Sequence, residues 1–276
     1  MHRSVKSTNF VANLKQRNAS HPVTRYRMDD ILKVFSPITL AEMSSVKLMN
    51  RTDTKFVTTL PKLRQLLEMA RDDYYAQEID GERNMLYDTT YFDTRSFGMY
   101  MEHQHKHTGR QKLRFRTYVS SNLQFMEIKT KNNHGRTKKK RIEVSDMNLD
   151  DQAKRDFIAQ HLHFDADELI PHMHNHFRRI TLVNRGKTER LTIDTSLHFH
   201  NVQTGEDRDM GPLVIVELKR DGQVFSPVLE MLRRLRIHPH GFSKYCMGAA
   251  MTNSHLMVNN FKPKLRDVDR ILLRSL

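Results

Sequence analysis

The stretch Lys112-Leu113-Arg114-Phe115-Arg116-Thr117-Tyr118 alternates basic and apolar residues. Successive side chains of a β-strand point to opposite faces, so Lys112, Arg114 and Arg116 share one face and Leu113 and Phe115 share the other. A face with three cations cannot be an ordinary core, whereas a face of leucine and phenylalanine is typical of a strand that packs against one. The segment therefore predicts a strand with one cationic and one apolar face.

Five further segments repeat this alternation. They are Arg51-x-Asp53-x-Lys55, Glu127-x-Lys129-x-Lys131, Lys139-x-Arg141-x-Glu143, Arg190-x-Thr192-x-Asp194 and Glu217-x-Lys219. One such strand is typical of the solvated face of an antiparallel sheet. Six strands whose polar faces are mostly lysine and arginine favour a different arrangement, in which these faces turn inward. Such a cavity would be unfavourable when empty and strongly favourable around a polyanion.

The strand-like segments are numerous enough to close a sheet on itself. They are Val46–Thr58, Met85–Phe92, Gln111–Ser120, Leu123–Lys131, Lys138–Val144, Phe177–Asn184, Thr188–Ile193 and Leu213–Lys219, and about eight strands suffice for a barrel. Helix signals begin at Pro61, Asp150, Ser226 and Ser243. We therefore predict an α+β fold, a closed eight-stranded antiparallel β-tunnel with helices packed outside.

Composition supports a polyanionic ligand. The 276 residues include 46 Lys+Arg and 32 Asp+Glu, a formal net charge of +14. The chain has no tryptophan, and its aromatic residues do not interleave with the basic ones as stacking platforms, which disfavours nucleic acid as the ligand. Its apolar runs are too short for direct membrane insertion, so a membrane role would need a membrane-protein partner.

Compartment and domain organisation follow from the same survey. Cys246 is the single cysteine, and the N-terminus has no apolar stretch that resembles a secretory signal. These features predict a cytoplasmic protein. Residues 1–27 are expected to form a flexible basic N-terminal arm, and residues 28–276 a single domain.

The carboxylates on the cationic faces suggest a metal. Glu217 and Glu127 offer hard oxygen ligands that can hold Mg²⁺ or Mn²⁺ against phosphate groups. An ion pair with a neighbouring cation is the alternative for each of them.

Eight short segments resemble, in order, the catalytic domain of the vacuolar transporter chaperone (VTC) family, polyphosphate polymerases of the triphosphate tunnel metalloenzyme superfamily. They are Arg51–Phe56, Tyr91–Thr94, Lys112–Tyr118, Glu127–Lys129, Lys139–Arg141, Arg190–Thr195, Glu217–Lys219 and Phe242–Tyr245. The resemblance extends from about residue 47 to residue 250, and it is to a stand-alone, bacterial-type version of the domain.

The resemblance implies a role for individual residues. It implies catalytic roles for Lys55, Arg114, Arg116, Lys129 and Glu217, with Glu217 as a ligand of Mn²⁺ or Mg²⁺. By charge, position or resemblance, the expected phosphate-binding residues are Arg51, Lys112, Lys131, Lys139, Arg141, Arg185, Arg190, Lys219 and Lys244. The register is ambiguous at one point, because Lys138 and Lys140 flank Lys139.

The implied activity is transfer of the ATP γ-phosphate to a growing polyphosphate chain, with ATP, pyrophosphate and polyphosphate as ligands. One alternative is a hydrolase of tripolyphosphate or nucleoside triphosphates with the same fold. It is disfavoured because Arg51-x-Asp53-x-Lys55 stands where hydrolytic tunnel enzymes carry E-x-E-x-K. Another alternative is a non-catalytic module that binds polyphosphate or nucleic acid.

Two histidine triplets remain outside this scheme. They are His103, His105 and His107, and His172, His174 and His176. Such alternation can bind zinc, but we find no cysteine or spaced histidine pair that completes a recognisable site. We interpret the triplets as partly exposed turn residues.

Overall fold

The computed structural model describes residues 22–43, 51–132, 137–222 and 224–274, and only the backbone at residues 22–27 and 51. Residues 1–21, most of the predicted arm, lie outside this range. Residues 22–27 belong to helix α1 (Pro22–Lys33), so the described backbone is helical where a flexible arm was predicted. Among the described residues, no helix is long and apolar enough to cross a membrane.

The remaining elements follow along the chain. They are β1 (Ser36–Ile38), α2 (Leu40–Met43), β2 (Arg51–Thr59), α3 (Leu60–Ala70), β3 (Tyr74–Gln77), β4 (Asn84–Thr94), α4 (Gly98–Gln104), β5 (Gln111–Tyr118), β6 (Leu123–Lys131), β7 (Thr137–Glu143), α5 (Gln152–His161), a 3-10 turn (Ala166–Glu168), β8 (Leu169–Asn184), β9 (Glu189–Asn201), β10 (Asp207–Asp209), β11 (Leu213–Asp221), α6 (Pro227–Arg234), α7 (Lys244–Thr252) and α8 (Lys262–Leu273). Every predicted strand and helix has a counterpart among them, although residues 46–50 of the first predicted strand lie outside the described range. His172, His174 and His176 lie in β8, which corrects their interpretation as turn residues.

The sheet confirms the predicted fold class. Eight antiparallel strands follow the order β2-β11-β9-β8-β4-β5-β6-β7, and the short strands β1, β3 and β10 join at the side. The described ladders contain no pairing between the end strands β2 and β7. The sheet is therefore a curled half-barrel, and its hydrogen bonding does not close into the ring that the word tunnel suggests.

The apolar strand faces lie outward, under helices, as predicted. Leu113, Phe115 and Ile128 pack against Phe157 and Ile158 of α5. On the other half of the sheet, the outward residues of β2, β9 and β11 pack against α3 and α6. Burial of one such side chain contributes about 1.5–3 kcal/mol. These two outer cores hold the alternation in register, so the charged residues between them must point inward.

Helix α7 departs from the prediction that all helices pack outside. It lies in the concave side of the sheet, where the ring of Tyr245 stacks on Tyr91 with centroids 5.3 Å apart. Gly248 makes this position possible, because a Cβ atom there would stand 2.7 Å from Phe199. The Ser243 side chain caps the helix by accepting a hydrogen bond from the Cys246 backbone N–H. The helix thus carries Lys244 into the concave face.

Candidate active site

The half of the concave face formed by β4 to β7 is built by cross-strand register. Arg141 of β7 lies opposite Glu127 of β6, and Glu127 lies opposite Arg114 of β5. One step along the strands, Lys139, Lys129 and Lys112 form a second row. Side chains paired in this way lie about 4.5–5.5 Å apart at Cβ, so the rows make a continuous cationic surface.

Strands β2, β11 and β9 form the facing half. Lys55 lies opposite Glu217, and Asp53 lies opposite Lys219. Lys219 in turn pairs with Arg190. Cations and carboxylates alternate here, whereas lysine and arginine dominate the rows of β5, β6 and β7.

The two halves face each other across the curl of the sheet. Burial lowers the pKa of Lys112 on β5, and the charge of Lys55 on β2 lowers it further, although four strands separate β2 from β5 in the sheet. Across the same space, the carboxylate of Glu217 on β11 acts to raise the pKa of Lys129 on β6. Interactions between strands so distant in the ladder require a strongly curved sheet, so the cationic faces converge on one shared space.

The cations on β5 and β6 repel one another strongly. Repulsion from Arg114, then burial and Arg116, hold the pKa of Lys129 well below its ordinary range. Burial, Arg114 and Arg179 lower the pKa of Arg116 to about 10. A polyanion between these side chains would supply the missing negative charge and raise both pKa values toward their ordinary range.

The start of α7 ties both halves together. Lys112 Nζ donates a 2.9 Å hydrogen bond to Ser243 Oγ, and Lys55 Nζ donates a 3.2 Å bond to the carbonyl oxygen of Phe242. Lys244 forms an ion pair with buried Asp194. Burial, together with Arg179, lowers the pKa of Lys244 to about 7. The helix therefore positions three lysine side chains around its first turn.

Besides the exposed Asp53 of β2, three carboxylates lie among these cations, and they differ in access. Glu127 is 1% exposed and contacts both Arg114 and Lys139. Asp194 is 4% exposed and receives a bidentate bond from Arg179 at 2.6 and 2.8 Å. Glu217 is 21% exposed, contacts Lys219 and lies 3.7 Å from Lys55 Nζ. Burial opposes its ionisation, but Lys55 and Lys219 overcome this and hold the pKa of Glu217 well below its usual range.

Most of the predicted site residues meet on the concave face. By register and contact these are Lys55, Lys112, Arg114, Arg116, Glu127, Lys129, Lys131, Lys139, Arg141, Arg190, Glu217, Lys219 and Lys244. For Arg51 the structure describes only the backbone, in β2.

Arg185 is placed elsewhere. It follows β8 in an exposed turn, donates to the carbonyl oxygen of Asp72 and to Ser36 Oγ, and lies 4.1 Å from the centroid of the Tyr75 ring. The pair Asn184-Arg185 ends the strand, so the side chain no longer follows the alternation that turns Arg190 inward. Its contacts give it a role in holding the turn, which corrects its assignment as a phosphate ligand.

One concave-face residue was missed. Arg179 of β8 pairs with Asp194 and lies 5.2 Å from the centroid of the Phe177 ring. Its inward neighbours Phe177 and Thr181 are uncharged, so β8 shows no alternation of charges that would reveal it. The pairing of Arg179 with Asp194 across the ladder identifies its side of the sheet.

The model of the VTC domain matches residues 50–253, more than half of the 276-residue chain. The chain belongs to the VTC domain family. A search of the curated proteins finds no match to this VTC domain.

Solved structures with a similar fold are distant in sequence. A proposed adenylate cyclase from Vibrio parahaemolyticus is 9% identical, with a TM-score of 0.42 over 74% of this chain and 99% of that chain. HpAC1 from Hippeastrum, a proposed adenylyl cyclase described as having a dominant triphosphatase activity, is 13% identical, with a TM-score of 0.49 over 74% and 98%. A conserved hypothetical protein from Pyrococcus furiosus is 12% identical, with a TM-score of 0.38 over 70% and 97%. Likenesses at this level carry no conclusion about the reaction.

The carboxylates differ in their fit to a divalent metal. Among the described residues, no three His, Cys, Asp or Glu side chains are grouped so that they could hold an ion by themselves. Mg²⁺ often binds through one or two carboxylates together with substrate phosphates, and Glu217, the most exposed of the three, fits that mode. Both carboxylates have cationic partners, but Glu127 does not fit, because it is 1% exposed between Arg114 and Lys139 whereas Glu217 is 21% exposed.

Proposed function

We propose that this VTC domain transfers the γ-phosphoryl group of ATP to the end of a polyphosphate chain lying along the concave face. The observation that carries the proposal is the convergence of Lys55, Arg114, Arg116 and Lys129 with the accessible carboxylate of Glu217. Phosphoryl transfer asks a protein mainly to position donor and acceptor in line and to neutralise charge on the oxygens. A curved surface of fixed cations does both.

Each group has a defined task in this proposal. Arg114 and Arg116 present planar guanidinium groups that can hold phosphate oxygens bidentately, while Lys55 and Lys129 act as compact charges. A terminal oxygen of the acceptor chain forms the new bond to the γ-phosphorus as the bond to the ADP oxygen breaks. The acceptor oxygen is already anionic, so the protein needs no general base.

A divalent ion held by Glu217 and the phosphates would neutralise charge on the transferred group. Lys219 and Lys55 keep the Glu217 carboxylate ionised, which is the form that binds a metal. The identity of the ion, Mg²⁺ or Mn²⁺, and the role of Glu217 as its ligand are both parts of this proposal.

The decisive experiment is product analysis. Purified protein is incubated with ATP and Mn²⁺ or Mg²⁺, with and without pyrophosphate as primer, and the products are separated by gel electrophoresis and thin-layer chromatography. Long chains support the polymerase. Orthophosphate alone would instead identify a hydrolase of the same fold, and binding without turnover a non-catalytic module.

Glu217→Gln tests the metal ligand. We expect it to abolish metal-dependent turnover while tripolyphosphate binding persists, because the cations that hold the phosphates remain. Glu206→Gln, at an exposed turn position, is the matched control and should behave as wild type. Unchanged turnover in Glu217→Gln would refute this role.

Partners and location remain part of the proposal. The ligands are ATP, pyrophosphate and polyphosphate, with a membrane protein as a further partner that could collect the product. The single cysteine, Cys246, is buried, in keeping with a reducing cytoplasm.

A further inference from the structure

A cavity of about 370 Å³ lies beside β2, and we call it the β2–α8 cavity. Its wall consists of the end of β2, the first turn of α3, residues 236–240 after α6, and the second half of α8 with Arg274 behind it. The described residues that line it include none of the cations assigned to the candidate active site. Its volume lies at the lower end of the range of small-molecule sites, so the cavity suits a compact ligand.

Backbone hydrogen bonds hold one wall of the cavity in place. The N–H group of Ile237 donates to the carbonyl oxygen of Leu232 at 2.9 Å, which fastens residues 236–240 to α6. The N–H group of His240 donates to the carbonyl oxygen of Lys55 at 2.7 Å, which fastens the same segment to β2. The cavity is therefore formed before any ligand enters.

An apolar core separates the β2–α8 cavity from the concave face. Val57 lines the cavity and is buried in one core with Phe242 and Val268. Phe242 is also the residue whose carbonyl oxygen accepts a hydrogen bond from Lys55 Nζ, so the core lies between the cavity and that lysine side chain. Helix α8, which forms one side of the cavity, follows the residues 50–253 that match the VTC domain.

The wall of the cavity is cationic. Its cations are Lys62, Arg236, Arg270 and Arg274, and Asp267 is the one carboxylate among its described lining residues. Asp267 Oδ1 accepts a 3.1 Å bond from Arg270, so its charge is already matched. Lys62 Nζ donates at 2.9 Å to a backbone carbonyl oxygen, which carries no net charge. Three cations of the wall thus have no ion-pair partner among the described residues.

Two polar side chains of the wall lack hydrogen bonds. Thr58 is 2% exposed, and neither its Oγ1 nor the ring nitrogens of His240 have a hydrogen-bond partner among the described residues. His240 Nε2 lies 3.7 Å from Asp267 Oδ2, which is too far for a hydrogen bond. Buried polar groups are normally paired, and both a hydroxyl and an imidazole N–H can donate to an oxyanion. These groups favour an occupant that carries oxygen acceptors.

We propose that the β2–α8 cavity binds a diphosphate group, either as free pyrophosphate or as the phosphate tail of ADP, at a second site apart from the candidate active site. Arg236 and Arg274 present guanidinium groups that can hold phosphate oxygens bidentately, and Lys62 adds a compact charge. One phosphate group carries about −1.5 to −2 charges at pH 7, so three unmatched cations call for more than one. The site does not depend on which reaction the concave face performs.

The test is calorimetric titration of the full-length protein with pyrophosphate, and separately with ADP, in the absence of divalent metal. At 0.15 M salt the Debye length is about 8 Å, so distant charges contribute little. Wild type should bind two equivalents of at least one of these ligands. In Arg236→Ala/Arg274→Ala the cavity site should weaken at least about tenfold, while the concave site remains.

The matched control removes the same charge nearby. Arg233→Ala/Arg234→Ala lies at the end of α6, where these side chains are 78% and 68% exposed, and should still bind two equivalents. Arg116→Ala/Lys129→Ala, which removes two repelling cations of the concave face, should bind one equivalent in the cavity. Adding Arg236→Ala and Arg274→Ala to that variant should abolish the remaining binding.

Circular dichroism and the melting temperature establish that each variant folds, and Lys62→Ala replaces Arg236→Ala/Arg274→Ala if that variant is unstable. Pyrophosphate or ADP should raise the melting temperature of Arg116→Ala/Lys129→Ala, because a ligand of the folded state stabilises that state. The proposal is overturned if wild type binds only one equivalent of either ligand, if folded Arg236→Ala/Arg274→Ala still binds two, or if Arg233→Ala/Arg234→Ala loses as much. Failure of phosphoryl transfer at the concave face would leave all of these binding results unchanged.

Discussion

Replacing Glu127 by glutamine should destabilise the fold even though the shape of the side chain is kept. Glu127 is 1% exposed and is the counter-charge of Arg114 and Lys139. Removing one partner of a buried ion pair costs about 3–5 kcal/mol. Because Lys139 is 43% exposed, solvent screens its share, so we expect the lower end, about 3 kcal/mol. For a chain of this size that is a fall in melting temperature of about 6–12 °C.

The assay is thermal and urea unfolding of Glu127→Gln beside Glu143→Gln. Glu143 is exposed on the neighbouring strand β7, so its variant should stay within about 0.5 kcal/mol of wild type. Tripolyphosphate should then raise the melting temperature of Glu127→Gln more than that of wild type, because it replaces the lost negative charge beside Arg114.

Two results would refute this reasoning. One is a Glu127→Gln protein as stable as wild type, which would mean that Arg114 does not need its counter-charge. The other is a stable Glu127→Gln protein that has lost metal dependence, which would instead make Glu127 a metal ligand.

Three further outcomes are expected. The pKa of Lys244 is about 7 in the free protein, and a bound phosphate should raise it. Binding should therefore take up protons and weaken as the pH rises above 7. Calorimetric binding heats that do not change between buffers of different ionisation enthalpy would contradict this. Arg185→Ala should leave tripolyphosphate affinity unchanged while Arg114→Ala lowers it, and equal losses would place Arg185 in the site. Gly248→Ala should lose about 1–3 kcal/mol by forcing a methyl group against Phe199, and a urea midpoint equal to that of wild type would refute the close packing.

Period-2 alternation in the sequence predicts most of the site, because it survives wherever one strand face is apolar. Leu113 and Phe115 face α5, so Arg114, which alternates with them, must face the concave side. The same inference fails where a bulge interrupts the alternation or where the residues on the inward face are uncharged. Arg179 has uncharged inward neighbours, and a bulge in β9 at Ser196 reverses the faces of the residues beyond it.

Three-dimensional position is harder to infer than element type. The cap at Ser243 predicts the start of α7, but no local pattern reveals on which side of a sheet a helix will pack. Likewise, the closing of a sheet depends on contacts between its end strands, and β2 and β7 lie far apart in the chain. The carboxylates show the same limit, because both form ion pairs and spacing alone cannot distinguish the fully buried Glu127 from the more accessible Glu217.

Because β7 lies at the end of the sheet, its lysines also affect how two molecules can pair. Residues 137–141 are all exposed, and Lys138 and Lys140 lie among them. An edge strand offers its peptide groups to any other strand that approaches, which invites aggregation. When two copies meet edge to edge, like charges oppose each other, so these lysines disfavour the growth of a continuous sheet from molecule to molecule.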